Sequence, residues 1–264
     1  MTNYQTDLDH AKRLADAADA ITMRYFRARD LVVTDKPDNT PVTQGDTETE
    51  QALNDIITNE FHEQCLGEEG ARPGKGERVW IIDPIDGTKN FLRGLPIWGT
   101  LMALTENGET VAAMVSCPAL RRRWWAAKGM GAWTQEADDS IRQIRVSKVS
   151  QLEDAFILRS TPLSAWDKVP GSSETKVNKL LASVWRDRAP GDFINYMWLA
   201  EGAADVSFEP YAKLWDIEAP KLIVTEAGGS FWTNAAADTP PEEERVVVAT
   251  NGPLEATILK ALGL

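Results

Sequence analysis

The sequence predicts an α+β chain that turns α/β in its second half, on three observations. Residues 7–27 repeat apolar side chains at Leu8, Ala11, Leu14, Ala15, Ala18 and Ile21, the spacing of one helix face. The stretch after Phe91 breaks into short β-type runs, and Asn107-Gly108 between two of them is a hairpin signal. From residue 156 onward, strand-like and helix-like segments alternate, the pattern of α/β folding.

A second helix is expected from about Asp46, where Thr47 and Glu50 form a T-x-x-E capping box and Leu53, Ile56, Ile57 and Phe61 supply a buried stripe. Residues 34–43, with two prolines, read as a loop, and so do residues 67–78 with Gly70, Pro73, Gly74 and Gly76. Strands are expected at 97–104, 110–116, 123–127, 132–133 and 141–146, forming an antiparallel sheet. In the second half the expected elements are strand 156–159, helices 173–182 and 193–203, strand 204–208, helix 216–227, strands 229–233 and 245–249, and a helix from Pro253. The seam is expected near residues 145–155. It divides an N-terminal α+β subdomain, 1–148, from a C-terminal α/β subdomain, 149–264, and clefts between subdomains favour ligands.

Composition narrows the function. A formal net charge of −12 argues against nucleic acid or an anionic membrane as main partner. The one basic cluster, Arg121-Arg122-Arg123 beside Trp124-Trp125, reads as a hairpin end with arginines over exposed indole. Two cysteines, Cys65 and Cys117, make no disulfide framework, and the acidic start M-T-N-Y-Q-T-D-L-D-H is no secretory signal. The expectation is a soluble cytoplasmic protein. Its two histidines, His10 and His62, fall in helix-like segments away from any motif, so the chemistry is expected to use carboxylates and metal.

The stretch W-I-I-D-P-I-D-G-T-K-N-F (80–91) is the centre of that chemistry. A buried strand ends at Asp83, Pro84 sets φ, and Gly87 permits a bend that returns Asp86 to the same space. Two converging carboxylates repel unless a cation or a shared proton intervenes. Mg²⁺ suits them, because it is hard and takes oxygen ligands, and the Ile85 carbonyl between them is a further donor. A helix starting at Thr88 would offer free N–H groups to a phosphate. Taken alone, the two aspartates read as turn caps before they read as a site. Glu68 and Glu69 precede the strand in L-G-E-E, and Asp216 follows in L-W-D-I-E-A-P, where it also reads as a helix N-cap.

Together G-E-E, W-I-I-D-P-I-D-G-T-x-N-F and W-D-x-x-A…T-E-A-G-G resemble the inositol monophosphatase family over about residues 8–262. Within it the chain is most similar to the histidinol-phosphate phosphatases, through K-P-D-N-T-P-V-T, R-R-R-W-W-A-A-K-G-M-G-A-W and G-D-F-I-N-Y-M-W-L-A-E-G-A-A-D-V-S-F-E-P. The resemblance implies the layered α-β-α-β-α sandwich of the sugar phosphatases, two or three Mg²⁺ per site, inhibition by Li⁺ and a homodimer. It maps metal ligands onto Glu68, Asp83, the Ile85 carbonyl, Asp86 and Asp216. Asp46 and Thr88, with Glu68 acting through a metal, match the positions that hold the attacking water, and Gly87, Thr88 and Asp216 border the substrate. The segment Pro190-Gly191-Asp192-Phe193 departs from the small-residue wall usual for inositol substrates. A cationic substrate such as histidinol phosphate favours acids on that wall, and Asp192 and Glu209 are the candidates. Asp192 reads also as a helix N-cap, and Glu209 also matches a position that contacts substrate hydroxyls. Trp185, Phe193 and Trp198 are candidates for stacking on an imidazole. The alternatives are an inositol-1-phosphatase, a 3′-phosphoadenosine phosphatase, a fructose-1,6-bisphosphatase, and a catalytically silent homologue.

Overall fold

The computed structural model describes residues 4–36, 40–72, 76–236 and 238–264. Two compact units emerge, one of Met1–Gln143 with Glu218–Ile223, the other of Ile144–Ile217 with Val224–Leu264.

The first unit opens with α1 (Gln5–Tyr25), whose buried face is Leu8, Ala11, Leu14, Ala15 and Ala18, as the periodicity requires. The loop expected at 34–43 is instead a short antiparallel ribbon of β1 (Val33–Asp35) and β2 (Pro41–Thr43). The β-branched run Val32-Val33-Thr34 favours strand, and Pro41 is tolerated because it opens its strand. Pro37, Asp38 and Asn39 of that segment, and Pro73, Gly74 and Lys75 of the second expected loop, lie outside the described residues.

Helix α2 (Gln44–Ile56) begins earlier than expected and is capped by Thr43, not Thr47. Thr43 is extended at the end of β2, so its Oγ1 accepts from the Gly45 and Asp46 N–H groups at 3.1 and 3.3 Å. Asp46 Oδ2 in return accepts the Thr43 N–H at 2.8 Å and hydroxyl at 2.6 Å. The box is therefore T-x-x-D, one turn upstream of the T-x-x-E the sequence suggested, and Glu50 is released for another task. The helix runs into a single π turn, Ile57–Phe61, and stops at His62 with φ 59°. His62 thus terminates the helix, while His10 stacks on Phe61 with centroids 3.9 Å apart.

Strand β3 (Gln64–Gly67) was not expected. It pairs in parallel with β4 (Arg78–Asp86), Gly67 opposite Ile82. Strand β4 also runs on past Asp83. Its pairing with β5 (Gly99–Glu106) shifts between Asp83↔Leu101 and Asp86↔Gly99, so Pro84 and Ile85 face only Thr100. This β-bulge accommodates the missing N–H of Pro84, whose carbonyl accepts the Thr100 hydroxyl at 2.8 Å. After β4 come α3 (Thr88–Leu92), β6 (Glu109–Cys117), β7 (Arg122–Ala127), β8 (Ala132–Gln135) and β9 (Ile141–Ile144). The sheet order is β3-β4-β5-β6-β7-β8-β9. Asn107 and Gly108 both take positive φ (51° and 81°), as a tight hairpin between β5 and β6 demands. Helices α1 and α2 pack together with this sheet over a core that includes Leu14, Leu53, Trp80, Ile82, Met102 and Leu104.

The arginine cluster differs from its expected form. Arg122 lies 4.8 Å over a Trp124 that is fully buried, and Arg123 is bound by Asp16 (2.6 Å) and Asp19 (2.5 Å) of α1. Two acids on α1 thus neutralise Arg123, while Glu136 pairs with the stacked Arg122 at 3.0 Å.

The second unit holds β10 (Phe156–Arg159), α4 (Glu174–Leu181), β11 (Arg186–Arg188), α5 (Phe193–Ala200), β12 (Val206–Ala212), α6 (Leu214–Glu226), β13 (Ser230–Thr233), β14 (Arg245–Thr250) and α7 (Glu255–Leu262). Residues 218–223 of α6 belong to the first unit, where Glu218 accepts the Thr110 hydroxyl of β6. The sheet order is β11-β10-β12-β14-β13, with β10 parallel to both neighbours and the rest antiparallel. Its core gathers Trp166, Val177, Leu180, Phe208, Val248 and Ile258. Among the described residues no helix is long and apolar enough to cross a membrane.

Candidate metal and phosphate site

In the first unit, the bulge of β4 does what the sequence asked of a turn. Carboxylate oxygens of Asp83 and Asp86 lie within 4.8 Å of one another. Asp83 is 2% exposed, and its Oδ1 accepts the Ile85 N–H at 3.0 Å. Gly87 supplies the left-handed φ of 81° that starts α3, and the Thr88 hydroxyl donates to the Ile85 carbonyl at 3.0 Å. Glu68 continues β3 beside this pair, its N–H donating to the Ile82 carbonyl at 3.3 Å. Asp46 is fully buried at the third position of α2. With Oδ2 committed to Thr43, its Oδ1 has no hydrogen-bond partner.

Electrostatics show how crowded these acids are. Burial, with the Glu68 charge adding to it, pushes the Asp46 carboxyl up to about 6. Burial and the Glu68 charge likewise push Glu69 up to about 7, against a hydrogen bond from Lys36. Lys36 reaches Glu68 at 2.8 Å and Glu69 at 2.7 Å. Burial would lower its pKa, but the two carboxylates outweigh that and hold it above its usual value. Lys36 opens the K-P-D-N-T stretch, and no local pattern marks it as a partner of residues 32 and 33 positions later. The donors are all oxygen, they repel one another, and a buried one lacks a partner. That set fits a hard divalent cation.

In the second unit, Asp216 is not the N-cap of α6 but its third residue, where Oδ2 accepts the Lys213 N–H at 2.7 Å. Asp46 plays the same part in α2, so both acids are oriented by the backbone N–H that precedes their helix. Asp192 does stand at the N-cap of α5, at φ 56°, but its side chain makes no capping hydrogen bond. Glu209 on β12 is 8% exposed and accepts the Tyr196 hydroxyl. Burial pushes Glu209 up to about 7, and the Asp192 charge adds to this. Sequence reasoning does not single out Tyr196, because it lies in a mostly apolar run, F-I-N-Y-M-W-L-A, that reads as core. Of the three aromatic candidates, Phe193 is buried, whereas Trp185 is 66% exposed and meets Phe156 edge to face.

A stability prediction follows for Glu209. Its folded pKa lies above the ordinary 4.5, so the folded protein holds the proton more tightly than the unfolded chain. Stability is then fully present below pH 4.5 and declines as pH rises through the window to about 7. Glu209→Gln keeps an acceptor for Tyr196 and removes the titration. The variant should match wild type in Tm near pH 4.5 and gain about 1–3 kcal/mol relative to it above pH 7. A Tm difference independent of pH would show that Glu209 does not titrate in this range.

The fold is that of a phosphomonoesterase. A solved inositol monophosphatase from Zymomonas mobilis superposes with a TM-score of 0.81 at 29% identity, covering 100% of both chains. The expected layered sugar-phosphatase architecture is therefore borne out. The sequence model of the inositol monophosphatase family matches residues 3–263, and the chain belongs to that family. Two histidinol-phosphatases are similar over nearly the whole length. The one from Streptomyces coelicolor is 44% identical, covering 98% of this chain and 97% of its own. The one from Mycobacterium tuberculosis is 42% identical, covering 97% of each.

Proposed function

We propose that the chain is a Mg²⁺-dependent phosphatase that hydrolyses L-histidinol phosphate to L-histidinol and inorganic phosphate. The observation that carries this substrate is the near-complete alignment, at 44% and 42% identity, with two histidinol-phosphatases. The acids Asp192 and Glu209 support it, since a substrate bearing an ammonium and a protonatable imidazole suits an acidic wall.

Glu68, Asp83, Asp86, Asp216 and the Ile85 carbonyl are assigned to hold two or three Mg²⁺. Asp216 is included because W-D-x-x-A…T-E-A-G-G matches the family motif that carries a metal ligand. Mg²⁺ held by these residues would neutralise phosphoryl charge and lower the pKa of a bound water toward neutrality. Asp46, with its unpartnered Oδ1, accepts the proton side of the attacking water, and the Thr88 hydroxyl orients it. Gly87 and Thr88 border the phosphate, while Asp192 and Glu209 receive the cationic end of the leaving alcohol. A cytoplasmic homodimer is part of the same reading, and the net charge of −12 favours a small metabolite over nucleic acid as partner.

Phosphate release from histidinol phosphate, inositol-1-phosphate and 3′-phosphoadenosine 5′-phosphate tests the assignment directly. With Mg²⁺, kcat/KM for histidinol phosphate should exceed the others by at least about tenfold, the worth of one well-placed charge contact. A preference for inositol-1-phosphate would shift the substrate within the family. No release from any of the three would leave a silent homologue.

A further inference from the structure

Glu50 was expected to close a capping box, and it does something else. It is 5% exposed on α2, and its carboxylate accepts two backbone N–H groups of a distant loop. Oε2 takes the N–H of Glu69 at 2.6 Å, and Oε1 takes the N–H of Ala71 at 2.7 Å. The loop also closes on itself: the Gly67 N–H donates to the Ala71 carbonyl at 2.9 Å, and Arg72 Nη1 donates to the Gly67 carbonyl at 2.9 Å. Residues 67–71 are thus wrapped around one buried carboxylate. Gly67 permits the approach, since a Cβ there would meet Glu50 Cδ and Oε2 at 2.3 Å.

Glu68 lies inside this wrap. Its own N–H is held by the Ile82 carbonyl, one residue before Asp83. The peptide on its other side is held by Glu50. The peptides on both sides of Glu68 are therefore fixed, one by the sheet and one by Glu50, and with them its Cα–Cβ direction.

We propose that Glu50 is a positioning residue of the metal site, holding the 67–71 loop so that Glu68 is presented to a divalent cation. The proposal rests on the reading of Glu68 as a ligand. A carboxylate is needed because two N–H donors require two acceptors in a rigid fork, and an amide supplies only one. Groups that orient metal ligands from behind are worth roughly 10–100-fold in metal affinity.

The test uses the full chain, freed of metal and titrated with Mn²⁺ by calorimetry, with hydrogen exchange followed at residues 66–72. Glu50→Gln should weaken the Mn²⁺ Kd by roughly tenfold and speed exchange at the Glu69 and Ala71 amides. Raising Mg²⁺ should recover most of its kcat, whereas KM for histidinol phosphate at saturating Mg²⁺ stays near wild type. Gly67→Ala, which displaces the same contact from the other side, should weaken Mn²⁺ in the same direction. Unchanged Mn²⁺ affinity in Glu50→Gln, with the loop loosened, would make Glu50 a purely structural clamp and overturn the proposal. A wild-type chain that binds no Mn²⁺ would overturn it together with the metal assignment. Tight binding without phosphatase activity would remove only the proposed function.

Discussion

Asp83→Asn is expected to abolish turnover and to leave the fold as stable as before or more so. Asp83 is buried, with an oxygen within 4.8 Å of one from Asp86. Without a cation, two ionised carboxylates this close oppose folding, so removing one charge relieves repulsion. Asparagine keeps the shape and an oxygen to accept the Ile85 N–H that Asp83 holds at 3.0 Å. What it loses is an anionic ligand. A metal contributes several kcal/mol of transition-state charge stabilisation, so losing its seat should lower kcat by about 10³-fold or more. Asp216→Asn should behave alike, since its amide oxygen can still accept the Lys213 N–H and cap α6. The measurement pairs kcat at saturating Mg²⁺ with thermal unfolding in chelator. A variant with near wild-type kcat would remove that residue from the metal site, and one that unfolds would return it to the role of a structural cap.

Much of this arrangement was legible in the sequence because its signals are local. The face of α1 follows from 3.6-residue spacing, and the β5–β6 hairpin from Asn107-Gly108, whose positive φ values few other pairs tolerate. The convergence of Asp83 and Asp86 was legible too, but its cause was not. A bulge and a turn both bring residues i and i+3 together after a proline, and only the partner strand distinguishes them, through Thr100 facing two residues. The same limit applies to α2, where T-x-x-D at 43–46 and T-x-x-E at 47–50 are both valid boxes. The choice falls to Thr43 because it is extended at the end of β2, which was read as loop. Once that box is taken, Glu50 turns to the backbone of residues 69 and 71, a contact between segments far apart in sequence that no local pattern marks. Short strands with a glycine, such as Gln64–Gly67, carry too little pattern to announce themselves, so whatever depends on them stays hidden.

Stripping divalent cations should erase activity and lower Tm without unfolding the protein, and both should return with Mg²⁺. The acids would repel strongly if left bare, but Lys36 already forms ion pairs with both Glu68 and Glu69, at 2.8 and 2.7 Å. These devices limit what the empty site costs, so the metal's effect on stability is mainly its binding energy. At a cation concentration of about 100 times Kd that energy is about 2.7 kcal/mol. For a chain of this length it corresponds to a Tm shift of roughly 5–10 °C. Activity has no such cushion, because Lys36 carries one charge and is tied to the loop, so it cannot stand between phosphate and Asp83. Chelated enzyme should therefore lose about 10³-fold or more in rate. Li⁺ added alongside Mg²⁺ should inhibit, since a single charge seated among these oxygens neutralises less of the phosphoryl group. Activity that survived exhaustive chelation would refute the metal assignment. A Tm that did not respond to Mg²⁺, together with lost activity, would place the essential cation on the substrate rather than on the protein.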